Sequence, residues 1–369
     1  MNARALLSTR KGLFEASREG GHWSLREAGF AGEPVSCALH DSRDGAVYAA
    51  LNLGHFGVKL HRREPDTEAW SEIGVPVYPP QQPAQQDAQQ KDVEWTLQMI
   101  WSLAAGGNDA PGVLWAGTLP GGLFRSADRG TSWELVRSLW DEPSRPEWFG
   151  GGYDVPGLHS ICVDPRDSRH LLVGISCGGA WVTRDGGASW KAAVAGMRAA
   201  YMPPERAEEP AVQDPHLIAQ CRASPDVYWC QHHNGIWRSA DGAGRWEEIG
   251  PAARAVASDF GFAVAAHPAD PLTAWFVPAI ADERRIPIDA ALCVTRTRDG
   301  GKSFEALREG LPQRQCYDLV YRHGLAVAPD GRTLLIGSTT GSVWASGDGG
   351  ERWELLSAHL PPVYAVTFF

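Results

Sequence analysis

One short motif recurs along the whole sequence and limits the folds the chain can adopt. Five segments fit the pattern Ser/Thr-x-Asp-x-Gly-x-x-Trp/Phe, with Ala243 in one of them where glycine is expected. They are SADRGTSW at 126–133, TRDGGASW at 183–190, SADGAGRW at 239–246, TRDGGKSF at 297–304 and SGDGGERW at 346–353. Two weaker copies end at Trp23 and Trp70, so seven copies recur roughly every 50 to 60 residues. A period of this length is typical of propeller blades.

The residues around each motif predict the same four strands in every unit. A short apolar segment such as GLFRSA precedes the motif, one such as WELV follows it, and two more come earlier, as HSICV and HLLVGIS do. The chain also has 41 glycines and 26 prolines, which favour turns between short strands. Four strands per unit indicate a blade. We therefore predict an all-β fold, a seven-bladed β-propeller of four-stranded antiparallel blades, in a single domain spanning residues 1–369.

The two ends of the chain predict how the ring closes. Residues 4–28 supply only three strands, and the C-terminal VYAVTFF has the pattern of the missing one. Pairing this strand with the N-terminal blade would close the ring and remove an exposed sheet edge. Residues 79–91, PPQQPAQQDAQQK, are a low-complexity stretch that we interpret as a solvated loop, with a lid as the alternative.

Charge and cysteine content exclude several classes of protein. Lys and Arg number 34 against 44 Asp and Glu, and the net charge of −10 without a basic run predicts no nucleic-acid binding. The seven scattered cysteines contain no CxxC pair, so neither a disulfide framework nor a zinc knuckle is indicated. No apolar run is long enough for a membrane span or a signal peptide, and we expect a cytoplasmic protein without membrane contact.

The aspartates of the five motifs are expected to be structural. An Asp carboxylate can accept backbone N–H groups of the turn that follows it, and the glycine permits a positive φ there. The closing Trp can place its ring between blades. We therefore assign to turn structure, rather than to catalysis or metal binding, Asp128, Asp185, Asp241, Asp299 and Asp348.

These motifs resemble the Asp-box, or BNR, repeat of bacterial sialidases, sortilin-like receptors and photosystem assembly factors. A narrower group of bacterial cytoplasmic BNR-like or glycosyl-hydrolase-like proteins is similar to this chain in the segments 145–167, 231–239, 258–268, 285–304 and 359–366. Members of that group are sometimes encoded beside a small ubiquitin-like sulfur-carrier protein. The resemblance thus implies such a protein as a partner.

The resemblance does not extend to sialidase chemistry. Sialidases have six blades, three arginines that bind the substrate carboxylate, a Tyr–Glu nucleophile pair, and an Arg-Ile-Pro motif ahead of their first box. In this chain Arg285-Ile286-Pro287 lies in the sixth of seven units. We therefore expect no true sialidase activity.

The end of the ring opposite the motif turns is the expected functional face. It receives the long loops 71–94, 138–158, 194–215 and 279–291, and long loops on a rigid ring usually carry function. Tyr153, Tyr201 and Asp214 fall on this end. The candidate ligand-binding residues are Trp148, His159, His216, His232, His233, Arg285, Tyr317, Arg322 and His323.

His159 and His216 occupy the same innermost-strand position in neighbouring blades, so they should converge near the ring axis. Three interpretations stay open: histidines that only fill the channel, a metal site, or a polar pocket in which Arg285 or Arg322 binds an anion. No HxH or HxxxH spacing supports a metal. No cofactor is therefore predicted, with a divalent metal at the two histidines as the alternative.

Two functions of different classes follow. The first is a propeller that binds a small polar or anionic ligand, or the tail of a partner protein, at the loop-rich face of the channel. The second is a glycoside hydrolase- or lyase-like enzyme acting on a saccharide-like substrate, with metal assistance from the channel histidines as a variant. Candidate carboxylates for that chemistry are Asp154, Asp259, Glu283 and Asp289.

Overall fold

The fold is a ring of seven antiparallel sheets of four strands each, in a computed structural model that describes residues 3–80 and 95–369. The prediction of an all-β, seven-bladed propeller is confirmed. Of the low-complexity stretch predicted at 79–91, residues 81–91 lie outside the described residues.

The blades follow one another along the chain, each built from consecutive strands except the first. Blade 1 contains β1 (Ala3–Thr9), β2 (Gly12–Glu19) and β3 (His22–Gly29). Blade 2 contains β4 (Val35–His40), β5 (Val47–Asn52), β6 (Val58–Arg63) and β7 (Ser71–Ile73). Blade 3 contains β8 (Met99–Ala105), β9 (Leu114–Leu119), β10 (Leu123–Ser126) and β11 (Glu134–Leu135). Blade 4 contains β12 (Leu158–Val163), β13 (Leu171–Ile175), β14 (Gly179–Thr183) and β15 (Lys191–Ala192).

The remaining blades have the same order. Blade 5 contains β16 (Pro215–Gln220), β17 (Tyr228–His232), β18 (Gly235–Ser239) and β19 (Glu247–Glu248). Blade 6 contains β20 (Gly261–Ala266), β21 (Ala274–Pro278), β22 (Val294–Thr297) and β23 (Glu305–Leu307). Blade 7 contains β24 (Leu325–Val327), β25 (Leu334–Gly337), β26 (Val343–Ser346) and β27 (Glu354–Ser357), and the last strand is β28 (Val363–Phe368).

Helices are short and lie in the connections. The α-helices are α1 (Arg137–Trp140) and α2 (Gly250–Arg254). The 3₁₀ turns are Gly54–Phe56, Arg145–Glu147, Pro210–Val212, Ile288–Ala290 and Arg322–Gly324. Across the described ranges, none of the helices is long and apolar enough to traverse a bilayer.

The C-terminal strand closes the ring as predicted. Strand β28 pairs antiparallel with β1, so that Phe368 lies opposite Ala5 and Val363 lies opposite Thr9. The first strand of each blade also contacts the first strand of the next, and β28 contacts both β24 and β4. The apolar core is shared between neighbouring blades, as Trp115 of blade 3 and Val173 of blade 4 illustrate. Each blade therefore depends on its two neighbours for burial.

The aspartate carboxylate of each of the five recurring motifs is held by the turn around it. Oδ1 of Asp128 accepts the backbone N–H of Ser132 at 2.9 Å, while Oδ2 accepts the hydroxyl of the same serine at 2.6 Å. The serine four residues after the aspartate makes the same two bonds to Asp185 and Asp299. These hydrogen bonds lower the pKa of all three carboxyl groups to about 2. Their hydrogen bonds are those of turn structure.

The box glycines adopt backbone conformations that glycine favours, and this supports a first prediction. Gly187 and Gly301 have φ of 91° and 93°, and Ala243 adopts 65° at the equivalent place. We expect Gly187→Ala to destabilise by about 1 kcal/mol, because only the positive φ opposes a Cβ there. Gly301→Ala should cost about 1–3 kcal/mol more, since its Cβ would lie 2.6–2.9 Å from Ile249. Thermal unfolding of the two variants should show this order, and equal shifts would contradict it.

The innermost strands of six blades share one irregularity near the loop-rich end. The pairing register shifts between Val35 and Cys37, Ile100 and Ser102, Leu158 and Ser160, Pro215 and Leu217, Gly261 and Val264, and Val363 and Ala365. A bulge re-aims a side chain. The displaced residues include Ser36, Trp101, His159, His216 and Phe262, so the two histidines occupy equivalent positions in neighbouring blades, as their spacing in the sequence indicates.

Candidate functional site

A cavity of about 720 Å³ opens at the end of the ring opposite the box turns. Its walls come from the β1–β2 turn, the β5–β6 turn, the β21–β22 loop and the segments that lead into the innermost strands. The lining residues that carry polar, charged or aromatic side chains are Arg10, Lys11, Ser36, Asn52, Trp101, Tyr153, Arg285, Tyr321, Arg322, His323 and Tyr364. We call this cavity the mouth.

The mouth is positively charged although the whole chain carries a net charge of −10. Four of its lining residues are cationic, namely Arg10, Lys11, Arg285 and Arg322, and within residues 3–80 and 95–369 no Asp or Glu lines it. Four aromatic side chains stand among these cations. This combination favours an anion that also presents a flat or apolar part.

Arg322 is the most unusual residue of the mouth. Its side chain is 7% exposed, and its guanidinium lies 4.8 Å from the Trp101 ring centroid and 5.8 Å from that of Phe262. One Nη donates to the carbonyl of Gly151 at 3.3 Å, whereas Nε has no partner among the described residues. Burial lowers the pKa of Arg322, yet no described carboxylate forms an ion pair with it. The buried carboxylate of Asp214 attracts Arg322 without forming a direct ion pair with it, so the guanidinium keeps hydrogen-bond donors such as Nε for an anionic ligand.

Arg285 lies at the rim of the same cavity and is held in place by its own loop. Its guanidinium contacts the carboxylate of Asp282, lies 5.3 Å from the Phe262 ring centroid and approaches the Tyr321 hydroxyl at 3.5 Å. Because Asp282 already neutralises part of this charge, Arg285 is a weaker anion receptor than Arg322. Its position allows it to contact the outer part of a ligand bound at Arg322.

A second cavity, of about 230 Å³, lies deeper in the channel and shares Trp101 and His323 with the mouth. His159 lines it, and the ring Nε2 of this buried histidine has no partner among the described residues. The Nε2–H of His323 donates to the backbone carbonyl of His159 at 2.9 Å. Burial lowers the pKa of His159 far below its ordinary value and that of His323 to about 4, so both rings are neutral near pH 7.

Beside the mouth, Asp214, His216 and His233 form a tight cluster. Oδ2 of Asp214 lies 3.4 Å from Nε2 of His216 and 3.5 Å from Nδ1 of His233. The Asp214 side chain is almost fully buried, and its Oδ1 accepts the backbone N–H of Cys177 at 3.2 Å. Burial disfavours the carboxylate, but the two histidines and Arg322 hold the pKa of Asp214 well below its ordinary value. Asp214 is therefore an anion inside the protein.

Three other predicted ligand residues lie outside both cavities. His232 is fully buried, with the N–H groups of Asp214 and Asn234 at 3.1 and 3.0 Å from its two ring nitrogens, and burial lowers its pKa to about 3. Trp148 is buried against Trp181. Tyr317 is 60% exposed and does not line either cavity. His232 and Trp148 thus have the surroundings of core residues.

The four candidate carboxylates do not converge. Asp154, Glu283 and Asp289 are exposed, and Asp259 is buried in an ion pair with Arg254. Among the residues that the structure describes, none of these four lines the mouth or the deeper cavity. The structure therefore brings together the cations and histidines of the predicted set, and not its acids.

Sequence reasoning missed Arg10 and Lys11. They lie in the turn between β1 and β2, which joins the second and third strands of blade 1 once β28 is counted as the first. That turn therefore lies at the loop-rich end of the ring. The strand order identifies both residues once the C-terminal strand is counted as the first strand of blade 1. Tyr364 was missed for a related reason, because it lies on the closing strand.

Comparisons with known proteins give the fold and no family. No protein-family model matches the chain, and no curated protein matches it significantly. An ancestral GH74 enzyme has a TM-score of 0.59 and 14% identity over 91% of this chain and 38% of its own. The GH74 xyloglucanase from Xanthomonas campestris has a TM-score of 0.58 and 19% identity over 89% and 46%. YCF48 bound to D1 peptide has a TM-score of 0.51 and 13% identity over 88% and 81%.

This chain therefore spans less than half the length of the two GH74 chains. At identities below 20% the likeness is one of architecture, and the resemblance to the Asp-box family is supported only at that level. By its seven closed blades and by these neighbours, the chain is a β-propeller.

Proposed function

We propose that this protein is a binding propeller whose mouth receives an anionic group, a carboxylate or a phosphate, carried by a small molecule or by the tail of a partner protein. The observation that supports this most directly is Arg322, a buried guanidinium without a carboxylate partner among the described residues. A guanidinium presents a planar fork of donors that matches carboxylate and phosphate oxygens. Arg285 and the β1–β2 turn add positive charge around it.

The aromatic side chains of the mouth support a ligand larger than a simple ion. Trp101 lies under the Arg322 guanidinium, while Tyr153 and Tyr364 are 48% and 38% exposed at the rim. Aromatic faces bind flat or apolar groups, so the anion would be one end of the ligand. YCF48, which shares the fold, is described as bound to a peptide, and this is consistent with a protein tail as ligand. A small ubiquitin-like sulfur-carrier protein as that partner, and a cytoplasmic location, stay predictions.

The alternative prediction, a glycoside hydrolase- or lyase-like enzyme, has less support. Two neighbours are GH74 enzymes, but the likeness concerns architecture alone. Glycoside hydrolysis ordinarily requires two carboxyl groups across the bond to be broken. The described lining of the mouth offers none. The binding function therefore has the stronger support.

Titration with defined anions tests the binding function. At low ionic strength we expect phosphate, citrate and a short peptide with a free C-terminal carboxylate to raise the melting temperature, and calorimetry to show binding. Arg322→Gln should weaken binding about tenfold or more, because charge-assisted hydrogen bonds are lost. The same peptide with an amidated C-terminus separates a protein-tail ligand from a small anion.

The control removes a charge from the other end of the ring. Arg169 is exposed in the β12–β13 turn, so Arg169→Gln changes the net charge by the same amount without touching the mouth. It should leave binding unchanged. The proposal fails if no probe binds at low salt, or if Arg322→Gln binds as the unmodified protein does.

A further inference from the structure

We infer that Asp214, His216 and His233 form a binding site for a divalent transition-metal ion, with Zn²⁺ as the best-fitting ion. Their ligand atoms all lie within 4.8 Å of one another. The site lies beside the mouth, and Gly151 lies between the two. The carbonyl oxygen of Gly151 accepts a hydrogen bond from Arg322, while its α-carbon faces the carboxylate of Asp214. It is separate from the anion-binding function, and each can hold without the other.

The spacing of the ligand atoms is the first argument. Hydrogen bonds between a carboxylate and a charged nitrogen are usually about 2.7–2.9 Å long. The distances here are 3.4 and 3.5 Å, too long for strong bonds of that kind. Ligands about 2.1 Å from a tetrahedral zinc ion are about 3.4 Å apart. Octahedral coordination at the same bond length would need about 3.0 Å.

The orientation of His216 is the second argument. Its Nδ1 lies 2.6 Å from the carbonyl oxygen of Gly261, an acceptor only, so Nδ1 carries the hydrogen. In the neutral ring Nε2 then has a lone pair, and this lone pair lies beside the carboxylate of Asp214. Two lone pairs facing each other repel, so either a proton or a metal ion must lie between them, and the 3.4 Å separation is longer than a proton-bridged pair usually has. Metal-bound histidines typically donate their other N–H to a backbone carbonyl in this way.

The surroundings hold the ligand groups in place. The His216 ring stacks on Phe262, with centroids 4.6 Å apart and planes 15° from parallel. The backbone N–H of Cys177 binds Oδ1 of Asp214, which leaves Oδ2 as the oxygen that faces both histidines. His233 is the least enclosed member, because its side chain is 25% exposed and its ring meets the rings of Tyr201, Phe260 and His216 edge-on. A small rotation of this ring would complete the coordination.

The donor set selects the ion. Two imidazoles and one carboxylate suit Zn²⁺ and related transition metals rather than Ca²⁺ or Mg²⁺, which prefer oxygen ligands. Three protein ligands leave the fourth tetrahedral position to water or to a bound molecule. The sequence suggested His159 and His216 as the metal ligands. The structure instead pairs His216 with Asp214, two residues earlier, and with His233 from the end of β17.

Metal binding by untagged protein tests this site. After treatment with a chelator and dialysis, calorimetric titration with Zn²⁺ should show one ion per chain. Asp214→Asn and His233→Gln should each weaken binding about 100-fold, at least as much as changes to groups that only support metal ligands. Co²⁺ bound in place of Zn²⁺ should give the intense visible absorption of a tetrahedral site.

A second Asp–His pair in the same chain provides the control. Nδ1 of His170 lies 3.0 Å from Oδ2 of Asp164, a normal hydrogen bond, at the other end of the ring. His170→Gln should leave the zinc affinity unchanged. Absence of stoichiometric Zn²⁺ binding, or unchanged affinity in His233→Gln, overturns the inference. Because His233 is partly exposed, this variant is expected to fold even if Asp214→Asn does not, and no anion is needed for the measurement.

Discussion

Replacement of Arg322 by methionine is expected to raise the stability of the ligand-free protein while abolishing its response to anions. The guanidinium is buried against Trp101 and Phe262, and its only hydrogen bond among the described residues is to Gly151. Methionine has a similar length, fills the same space against the two rings and carries no charge. Replacing buried charges by apolar side chains often stabilises by about 1–4 kcal/mol.

Three losses reduce this gain, and one of them is the attraction between Arg322 and the buried carboxylate of Asp214. The cation–π contact with Trp101 contributes about 1 kcal/mol, and the hydrogen bond to Gly151 contributes about 1 kcal/mol. We therefore expect a net gain of at most about 2 kcal/mol, measured as the shift of the urea or thermal unfolding transition. A stabilised protein that no longer binds phosphate or citrate would indicate that Arg322 serves anion binding rather than the stability of the fold.

A loss of stability in Arg322→Met would contradict this prediction. If Arg322→Met lowers the melting temperature, the guanidinium supports the fold and the anion-binding proposal loses its main argument. Arg322→Lys is the informative companion variant. It keeps the charge and loses the planar fork, so it should retain weak anion binding without the gain in stability.

Deletion of residues 363–369 is expected to prevent stable folding. Strand β28 supplies the innermost strand of blade 1, and Val363, Ala365 and Val366 are buried against blades 1 and 7. Loss of their burial and of the pairing with β1 should cost on the order of 5–10 kcal/mol, which equals the whole stability of a typical domain. The expected result is insoluble protein, or a chain without a cooperative unfolding transition.

A chain with the C-terminal strand moved to its N-terminus shows whether the ring needs this strand itself or also its position at the end of the chain. Phe368 lies opposite Ala5, and the backbone N–H of Phe369 donates to the carbonyl of Arg4, so the end of β28 is close to the start of β1. Moving residues 361–369 ahead of residue 3 through a short turn should therefore restore the fold. Failure of this variant, or a stable protein after the deletion, would contradict the proposed role of β28.

The blade architecture could be predicted from sequence because the information is local. Each box has its Asp, Gly and Trp within eight residues, and Asp128 is bound by Ser126 and Ser132 inside that same stretch. Strand number and closure followed because the repeats can be counted and the C-terminal strand has no partner of its own. The equivalence of His159 and His216 followed from the same repetition.

The candidate site could be predicted only in part. The loop-rich end, Arg285, Arg322 and His323 were identified from the strand order, and the structure places all three side chains in the mouth. Whether a side chain on that end faces the cavity, the core or solvent depends on contacts with other blades. Trp148 turned inward against Trp181, whereas Tyr317 remained at the surface.

By itself the sequence determined that this protein is a closed ring of seven four-stranded blades, and which end of the ring carries the variable loops, because both properties repeat along the chain. Only the tertiary structure decided which side chains meet. Asp214, His216 and His233 come together because Pro215 of β16 lies opposite His232 of β17, and the hydrogen bond to Gly261 of the next blade orients the His216 ring. Arg322 is buried because blades 3 and 6 supply the aromatic rings around it, a contact between segments more than 50 residues apart.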